Sequence, residues 1–222
     1  MWSCSLYFSG MPPTLTANGG IDAVTHALES YVSAYATDYT RGLSMQALQM
    51  LFEYLGRAYK YGTADREARR KVHDAATIAG MAFANAFLGI CHSCAHKLGA
   101  RYNLAHGLCN ALMISHVIMY NSEEAPYKVV GFAQYKKMHA ADDYAHLAVT
   151  LGFAQKSMST RQKVACLIRE VEQLKSSIGI PFSMKEALAG QVTEQEFLDA
   201  LDELAEFSFD DQYVRDGPLA LP

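Results

Sequence analysis

The rest of the chain is arranged around one segment, Cys91-His92-Ser93-Cys94-Ala95-His96, together with the His106-Gly107 pair that follows it. Three of the eight histidines lie within fifteen residues here. Residues four apart share a face of a helix, so the spacing predicts that the rings of His92 and His96 project side by side. Residues 101–105 form a predicted turn between two helices, which lets His106 fold back toward that pair.

Three convergent imidazoles are typical of a metal site, because imidazole is the side chain that most often binds metal ions. The alternative is that one or two of these histidines are hydrogen-bonded residues of the core.

A second pattern lies upstream, in residues 19–29, where Asp22 and His26 are also four apart. Such a pair alone occurs as often in a surface ion pair. Its neighbours are mostly apolar, however, so the helix is predicted to be buried, and an unpaired carboxylate is costly to bury. A cation shared with the downstream histidines removes that cost. The two pairs together predict a metal site assembled from two helices.

Both patterns resemble the signatures of iron-containing alcohol dehydrogenases. The matching residues are Gly20-Ile21-Asp22-Ala23-Val24-Thr25-His26-Ala27-Leu28-Glu29 and His92-Ser93-Cys94-Ala95-His96-Lys97-Leu98-Gly99, followed by His106-Gly107-Leu108-Cys109-Asn110-Ala111. The likeness extends from about Met11 to about Gln212. It includes the run of small residues at 75–89, which is similar to the alcohol dehydrogenase portion of bifunctional aldehyde–alcohol dehydrogenases.

The resemblance implies a ligand set and a reaction. It implies that one divalent metal, usually Fe²⁺ and sometimes Zn²⁺, is bound by four residues: Asp22, His26, His92 and His106. It implies further that His96 is not a ligand but faces the substrate and the nicotinamide of NAD(H), as the candidate catalytic and cofactor-binding residue. The implied reaction interconverts short primary alcohols and aldehydes, ethanol and acetaldehyde in particular.

Composition excludes several other classes of protein. Half of the 222 residues are hydrophobic and the formal net charge is −4, so the chain offers no basic stripe for nucleic acid or for an anionic membrane. The first ten residues lack a basic segment and a sustained apolar run, so they predict neither a secretory signal nor a membrane span.

Five cysteines without framework spacing predict free thiols in a reducing cytoplasm. Cys91 and Cys94 are not expected to bind zinc, because two further clustered ligands would have to displace the histidines.

Helical periodicity and capping signals predict an all-α fold. Pro12-Pro13 and Gly19-Gly20 predict a loop before the first helix, which is expected to end near Ala36. Asp38 is the predicted N-cap of the second helix, Gly62 closes it, and a solvated charged run at 65–71 opens the third. Capping boxes begin helices at Ser159 and at Thr193, the latter helix running to about Phe207. Period-2 alternation is absent from the sequence, and we expect a single domain, a helical bundle, over residues 1–222.

The third helix is expected to deliver its apolar end to the histidine cluster. Phe83, Asn85 and Phe87 are placed to line a substrate pocket there, although each phenylalanine is also compatible with ordinary core packing. The other histidines are predicted to lie outside the site, at positions 73, 116, 139 and 146.

Family resemblance also implies a dinucleotide-binding α/β domain with a glycine-rich phosphate loop ahead of the helical part. Gly19-Gly20 does not predict such a loop, because it lacks a preceding strand and a third glycine. Residues 1–10 and 213–222 are atypical, so we expect a fragment, an alternative start or a misread end. Two hypotheses remain: a metal-dependent dehydrogenase segment that acts with a dinucleotide-binding domain, or a non-catalytic helical module that binds metal, a partner chain or a second copy of itself.

Overall fold

The computed structural model describes residues 10–123 and 139–211, and these form helices joined by turns with no strand among them. The predicted all-α class is confirmed. In chain order the helices are α1 Pro13–Val32, α2 Asp38–Tyr61, α3 Arg66–Ala86, α4 Ile90–Tyr102, α5 His106–Ser122, α6 Ala140–Thr150, α7 Thr160–Ser177, α8 Met184–Ala187, α9 Glu194–Asp199 and α10 Leu201–Phe209. A single 3₁₀ turn, Gly62–Ala64, links α2 to α3. Of the two ends predicted to be atypical, residues 1–9 and 213–222 lie outside the described residues.

Helix α1 is the centre of the fold. It packs against α2, α3 and α5, and its Ile21, Val24 and Leu28 are completely buried. The loop predicted at Gly19-Gly20 is wrong, because α1 already begins at Pro13, a residue suited to the first turn of a helix. Gly20 instead allows α1 to pack closely on α2, because a Cβ at this position would lie 2.2 Å from Leu55 Cδ1.

Capping side chains explain where several of the helices begin. Thr37, and not the predicted Asp38, caps α2, because its side chain accepts from the Thr40 backbone N–H. The predicted capping boxes at Ser159 and Thr193 are confirmed, and Gly62 closes α2 as expected. The helix predicted to run from Thr193 to about Phe207 is instead divided at Ala200 into α9 and α10.

The charged first turn of α3 is only partly solvated. Arg69 is 9 % exposed, and its guanidinium donates to Thr16 Oγ1 and to the Met11 carbonyl, both at 2.6 Å. The prediction of a wholly solvated run is therefore wrong at Arg69, which ties α3 to the start of α1. Arg69 and Thr16 are 53 residues apart in the sequence, so local sequence patterns could not predict this contact.

Helices α3, α4 and α5 turn sharply at their junctions. The axes of α3 and α4 are bent by 109°, and α4 ends where Asn103 adopts a left-handed conformation with φ 51°. The turn predicted between the two histidine-bearing helices is confirmed, with α5 beginning at His106. Over the described ranges, no individual helix meets the length and composition needed to cross a membrane; α3 and α4 do so only as a pair across this bend.

Candidate metal centre

Three of the predicted ligands converge from three helices. Asp22 comes from α1, His92 from the first turn of α4, and His106 from the first position of α5. One donor atom from each lies within 4.8 Å of the others. Asp22 Oδ1 is 3.7 Å from His92 Nε2 and 3.5 Å from His106 Nε2. Asp22 and His106 thus face one point, although they are 84 positions apart in the sequence.

A close contact between helix backbones brings α5 to this point. A Cβ on Gly107 would lie 2.0 Å from the backbone oxygen of Asn18, so only glycine allows the start of α5 to lie so near α1. His106 immediately precedes this glycine and is thereby placed beside Asp22.

His26, the fourth predicted ligand, lies beside this group of three. Its Nε2 is 3.7 Å from Asp22 Oδ2, and its ring stacks on His92 with centroids 4.8 Å apart. The i, i+4 relation along α1 keeps His26 and Asp22 on one face.

His96, the predicted catalytic residue, lies one turn after His92 on α4, at the more exposed edge of the cluster. Its ring stacks on His106 at 5.3 Å and is 6.3 Å from His92. His96 Nδ1 is 3.2 Å from Asp211 Oδ2, and the same carboxylate accepts from Lys97 Nζ at 2.9 Å.

The two phenylalanines predicted to line a substrate pocket are placed differently. Phe83 lies with its ring centroid 4.4 Å from that of His26, at the cluster itself. Phe87 is 43 % exposed and packs edge-on against Tyr35. Asn85 donates to the Met81 carbonyl of its own helix.

An apolar cavity of about 670 Å³ also lies on the described part of the chain, next to α4, α5, α7 and α10. Its lining includes Leu98, Met113, Ile168 and Leu204, but none of the predicted ligands and neither of these phenylalanines.

Two residues of the cluster were missed by the sequence analysis. The Asn110 amide donates from Nδ2 to Asp22 Oδ1 at 2.7 Å and lies 3.0 Å from His92 Nε2 and 3.2 Å from His106 Nε2. Glu29 is 2 % exposed and contacts His92 Nδ1. Helical spacing offered a signal for both, because Asn110 is four residues after His106 and Glu29 is three after His26.

The electrostatics of the cluster favour one carboxylate and neutral imidazoles at its open side. Burial raises the pKa of Asp22, but the interactions with His92 and His26 outweigh it and leave this pKa below its usual value. Burial lowers the pKa of His26 to about 4 and also lowers that of His106, so their nitrogens are free to bind a cation at neutral pH.

His92 behaves in the opposite way. Burial lowers its pKa, but the carboxylates of Asp22 and Glu29 outweigh this and raise it to about 9. A cation that binds His92 must therefore displace a proton at neutral pH.

The donor set fits a divalent transition metal. A carboxylate oxygen and two imidazole nitrogens, with a third imidazole adjoining, match the mixed N/O ligation that Fe²⁺ and Zn²⁺ accept. Among the residues that the structure describes, Asp22 pairs with three imidazoles and with no Lys or Arg, which suits charge balance by a cation.

Comparisons with known proteins show which family this chain resembles. A family model described as the C-terminal part of the Fe-containing alcohol dehydrogenase family matches residues 16–220. The chain is 48 % identical over 208 residues to the bifunctional aldehyde-alcohol dehydrogenase AdhE of Escherichia coli (strain K12), covering 94 % of this chain and 23 % of the relative. It is 41 % identical over 210 residues to an aldehyde-alcohol dehydrogenase of Clostridium acetobutylicum, covering 94 % and 24 %.

Solved structures are similar in fold. An iron-containing alcohol dehydrogenase from Thermococcus thioreducens matches with a TM-score of 0.77 and 30 % identity, over 96 % of this chain and 49 % of that one. An alcohol dehydrogenase from Oenococcus oeni matches with a TM-score of 0.80 and 30 % identity, over 95 % and 49 %. The chain thus spans about a quarter of these curated relatives and about half of these solved chains. By sequence and by fold, it belongs to the iron-containing alcohol dehydrogenase family.

Proposed function

We propose that this chain is the helical metal-binding part of an alcohol dehydrogenase that interconverts short primary alcohols and aldehydes with NAD(H). The observation that carries the proposal is the convergence of Asp22, His92 and His106 from three helices. Membership of the family supports the same reaction class. Residues 1–222 act in it as a single domain, together with a dinucleotide-binding domain, and the greater length of the relatives supports such a partner.

Asp22, His26, His92 and His106 would hold the metal, Fe²⁺ or alternatively Zn²⁺. When bound, such an ion supplies a Lewis acid that polarises an alcohol or carbonyl oxygen. His26 completes the set through its ring, which already lies against His92 and has a nitrogen 3.7 Å from Asp22. Phe83, packed on His26, shields this side of the site and lines the substrate pocket, with Phe87 farther out on the same segment.

His96 orients the substrate, contacts the nicotinamide and takes up the released proton. Its ring adjoins His106 without belonging to the group of three donors, and its side chain is 36 % exposed and hence accessible to a ligand. Asp211 contacts Nδ1 and thereby orients the ring for exchange of the proton. Hydride transfer itself belongs to the nicotinamide cofactor.

A cytoplasmic location is part of the proposal. The four cysteines in the described ranges are free thiols, which supports a reducing compartment.

A chimera tests the function. The matching 208-residue stretch of the Escherichia coli relative is replaced by this chain, and NADH formation from ethanol is measured after loading with Fe²⁺ or Zn²⁺. We expect ethanol-dependent turnover, and His96→Ala should abolish it while metal content stays near normal. A metal-loaded, folded chimera without turnover would contradict the proposed activity and favour the non-catalytic module. Loss of metal in His96→Ala would instead make His96 a ligand.

A further inference from the structure

The buried carboxylate of Glu29 is an unusual feature of the site. Glu29 lies on α1 and is 2 % exposed. One oxygen, Oε1, accepts from the Cys91 backbone N–H at 2.8 Å, and the other, Oε2, lies 2.5 Å from His92 Nδ1. A buried carboxylate is tolerated only when its oxygens are satisfied. Both oxygens of Glu29 are satisfied, and both partners lie at the start of α4.

The start of α4 needs such an acceptor. Gly89 is the N-cap and makes no side-chain capping bond, whereas the first backbone N–H groups of a helix have no acceptor within the helix. Glu29 fills this role from another helix, sixty-two residues away, and its negative charge is favoured at the positive end of the helix dipole. The bond to Cys91 fixes the carboxylate, so its second oxygen has a fixed position relative to the next residue, His92.

The two ring nitrogens of His92 then face in different directions. Nδ1 faces Glu29, whereas Nε2 faces Asp22 Oδ1 and the Asn110 amide. A neutral imidazole carries one proton, and the carboxylate accepts it only from Nδ1. The lone pair of Nε2 is thereby directed at the point shared with Asp22 and His106.

We propose that Glu29 is a positioning residue of the metal centre, which holds His92 with its proton on Nδ1 and its Nε2 directed toward Asp22 and His106. The inference rests on the proposed function, since it concerns the same metal site. Glu29 is not itself a ligand, because its two oxygens are engaged on the far side of the His92 ring. Loss of a residue that orients a metal-binding histidine in this way typically weakens metal affinity about 10–100-fold.

The variant Glu29→Gln tests this role, with Glu172→Gln as the matched control. The amide keeps the shape of the side chain but has one acceptor oxygen, so either the Cys91 N–H or the His92 Nδ1–H loses its acceptor. Glu172 is a paired, half-buried carboxylate on α7, bonded to Ser115 and Lys175 and remote from the ligands. Zn²⁺ affinity is measured by competition with a chromogenic chelator. We expect affinity to fall about 10–100-fold in Glu29→Gln and to stay within about twofold in Glu172→Gln.

A second measurement does not depend on the folding of any variant. ¹⁵N-imidazole NMR of the zinc-loaded wild-type chain reports which nitrogen of His92 carries the proton. We expect a protonated Nδ1 and a zinc-shifted Nε2. A proton on Nε2, or unchanged affinity in Glu29→Gln, would overturn the inference while leaving the metal site intact. A wild-type chain that binds no zinc would overturn the proposed function and this inference together.

Discussion

At the residue scale, the charge around His92 governs how the site responds to pH and to metal. The ring lies between the carboxylates of Asp22 and Glu29 and is 1 % exposed. In the absence of a cation, a proton on His92 balances part of this negative charge, which accounts for its pKa of about 9. Metal and proton therefore compete for the same ring.

Stability of the metal-free chain should accordingly fall as the pH rises from 7 toward 8. In this range the folded chain keeps the His92 proton, with a pKa of about 9 against 6.5 ordinarily, whereas the unfolded chain has largely released it. This stabilisation is fully present below pH 6.5 and is lost as the pH rises through 9. The lowered pKa values of His26 and His106 act in the opposite direction, mainly below pH 7. Urea unfolding of the chelator-treated chain should show a loss of about 1 kcal/mol per pH unit.

Glu29→Gln is the control for this pH dependence, because removing one of the two carboxylates should flatten the slope. The range stops short of pH 9, the ordinary pKa of the buried thiols, so that cysteine ionisation does not contribute. Stability that is constant or rises with pH over this range would show that His92 is not protonated in the folded chain.

Asn110 should stabilise the cluster before any metal is bound. Its amide donates to Asp22 Oδ1 and is completely buried. In Asn110→Ala the carboxylate loses this donor, so the free energy of unfolding of the metal-free chain should fall by about 1–3 kcal/mol. Added Zn²⁺ should recover part of the loss, because a cation also satisfies Asp22. Thermal unfolding with and without Zn²⁺ measures both effects.

Asn85→Ala is the matched control for Asn110. Asn85 is exposed and donates only to its own helix, so its removal should change stability by less than about 0.5 kcal/mol. Equal stability of Asn110→Ala and the wild type would mean that the amide contributes nothing to the cluster.

At the scale of the elements, the contact between α1 and α5 sets the geometry of the site. Gly107→Ala places a Cβ against the Asn18 backbone, which cannot rotate away as a side chain can. The start of α5 must therefore shift and carry His106 away from Asp22. We expect a loss of about 1–3 kcal/mol in stability, as for other overpacked contacts, and weaker metal binding.

Gly42→Ala is the control for Gly107, because Gly42 lies in α2 with nothing within 4 Å of its would-be Cβ. Alanine there should stabilise the helix by about 0.5–1 kcal/mol and leave metal binding unchanged. Thermal unfolding and chelator competition on the two variants separate helix propensity from helix packing. Normal metal affinity in Gly107→Ala would refute the positioning role of this contact.

Local patterns predicted most of the helices and the pairs Asp22/His26 and His92/His96, because caps and i, i+4 pairs act over a few residues. The ligand set that excludes His96 came from the family resemblance. Local patterns failed where distant segments meet. The prediction of a loop at Gly20 fails because its packing on Leu55 is not visible locally. The prediction of a solvated Arg69 fails because its partner Thr16 lies 53 residues away. Glu29 was missed as a partner of His92 for the same reason.

At the scale of the whole molecule, the chain covers about half of the solved chains that it matches. In residues 10–123 and 139–211 no strand precedes a glycine-rich turn and helix, the arrangement that holds a dinucleotide phosphate. The isolated 222-residue chain should therefore bind NADH more weakly than about 1 mM in a calorimetric titration. A Kd near 1 μM would mean that it holds the cofactor by itself.

Asp22, His92 and His106 form the proposed metal site, and the metal content of the purified chain tests this proposal. The purified chain is loaded with Zn²⁺ or with Fe²⁺ under anaerobic conditions, desalted and analysed by atomic emission. The double variant His92→Ala/His106→Ala is compared with His139→Ala/His146→Ala, which removes two exposed histidines outside the cluster. We predict one metal ion per chain in the wild type and in the exposed-histidine variant, and none in the cluster variant. Full occupancy in the cluster variant, or no bound metal in the wild type, would show that these residues do not form a metal site.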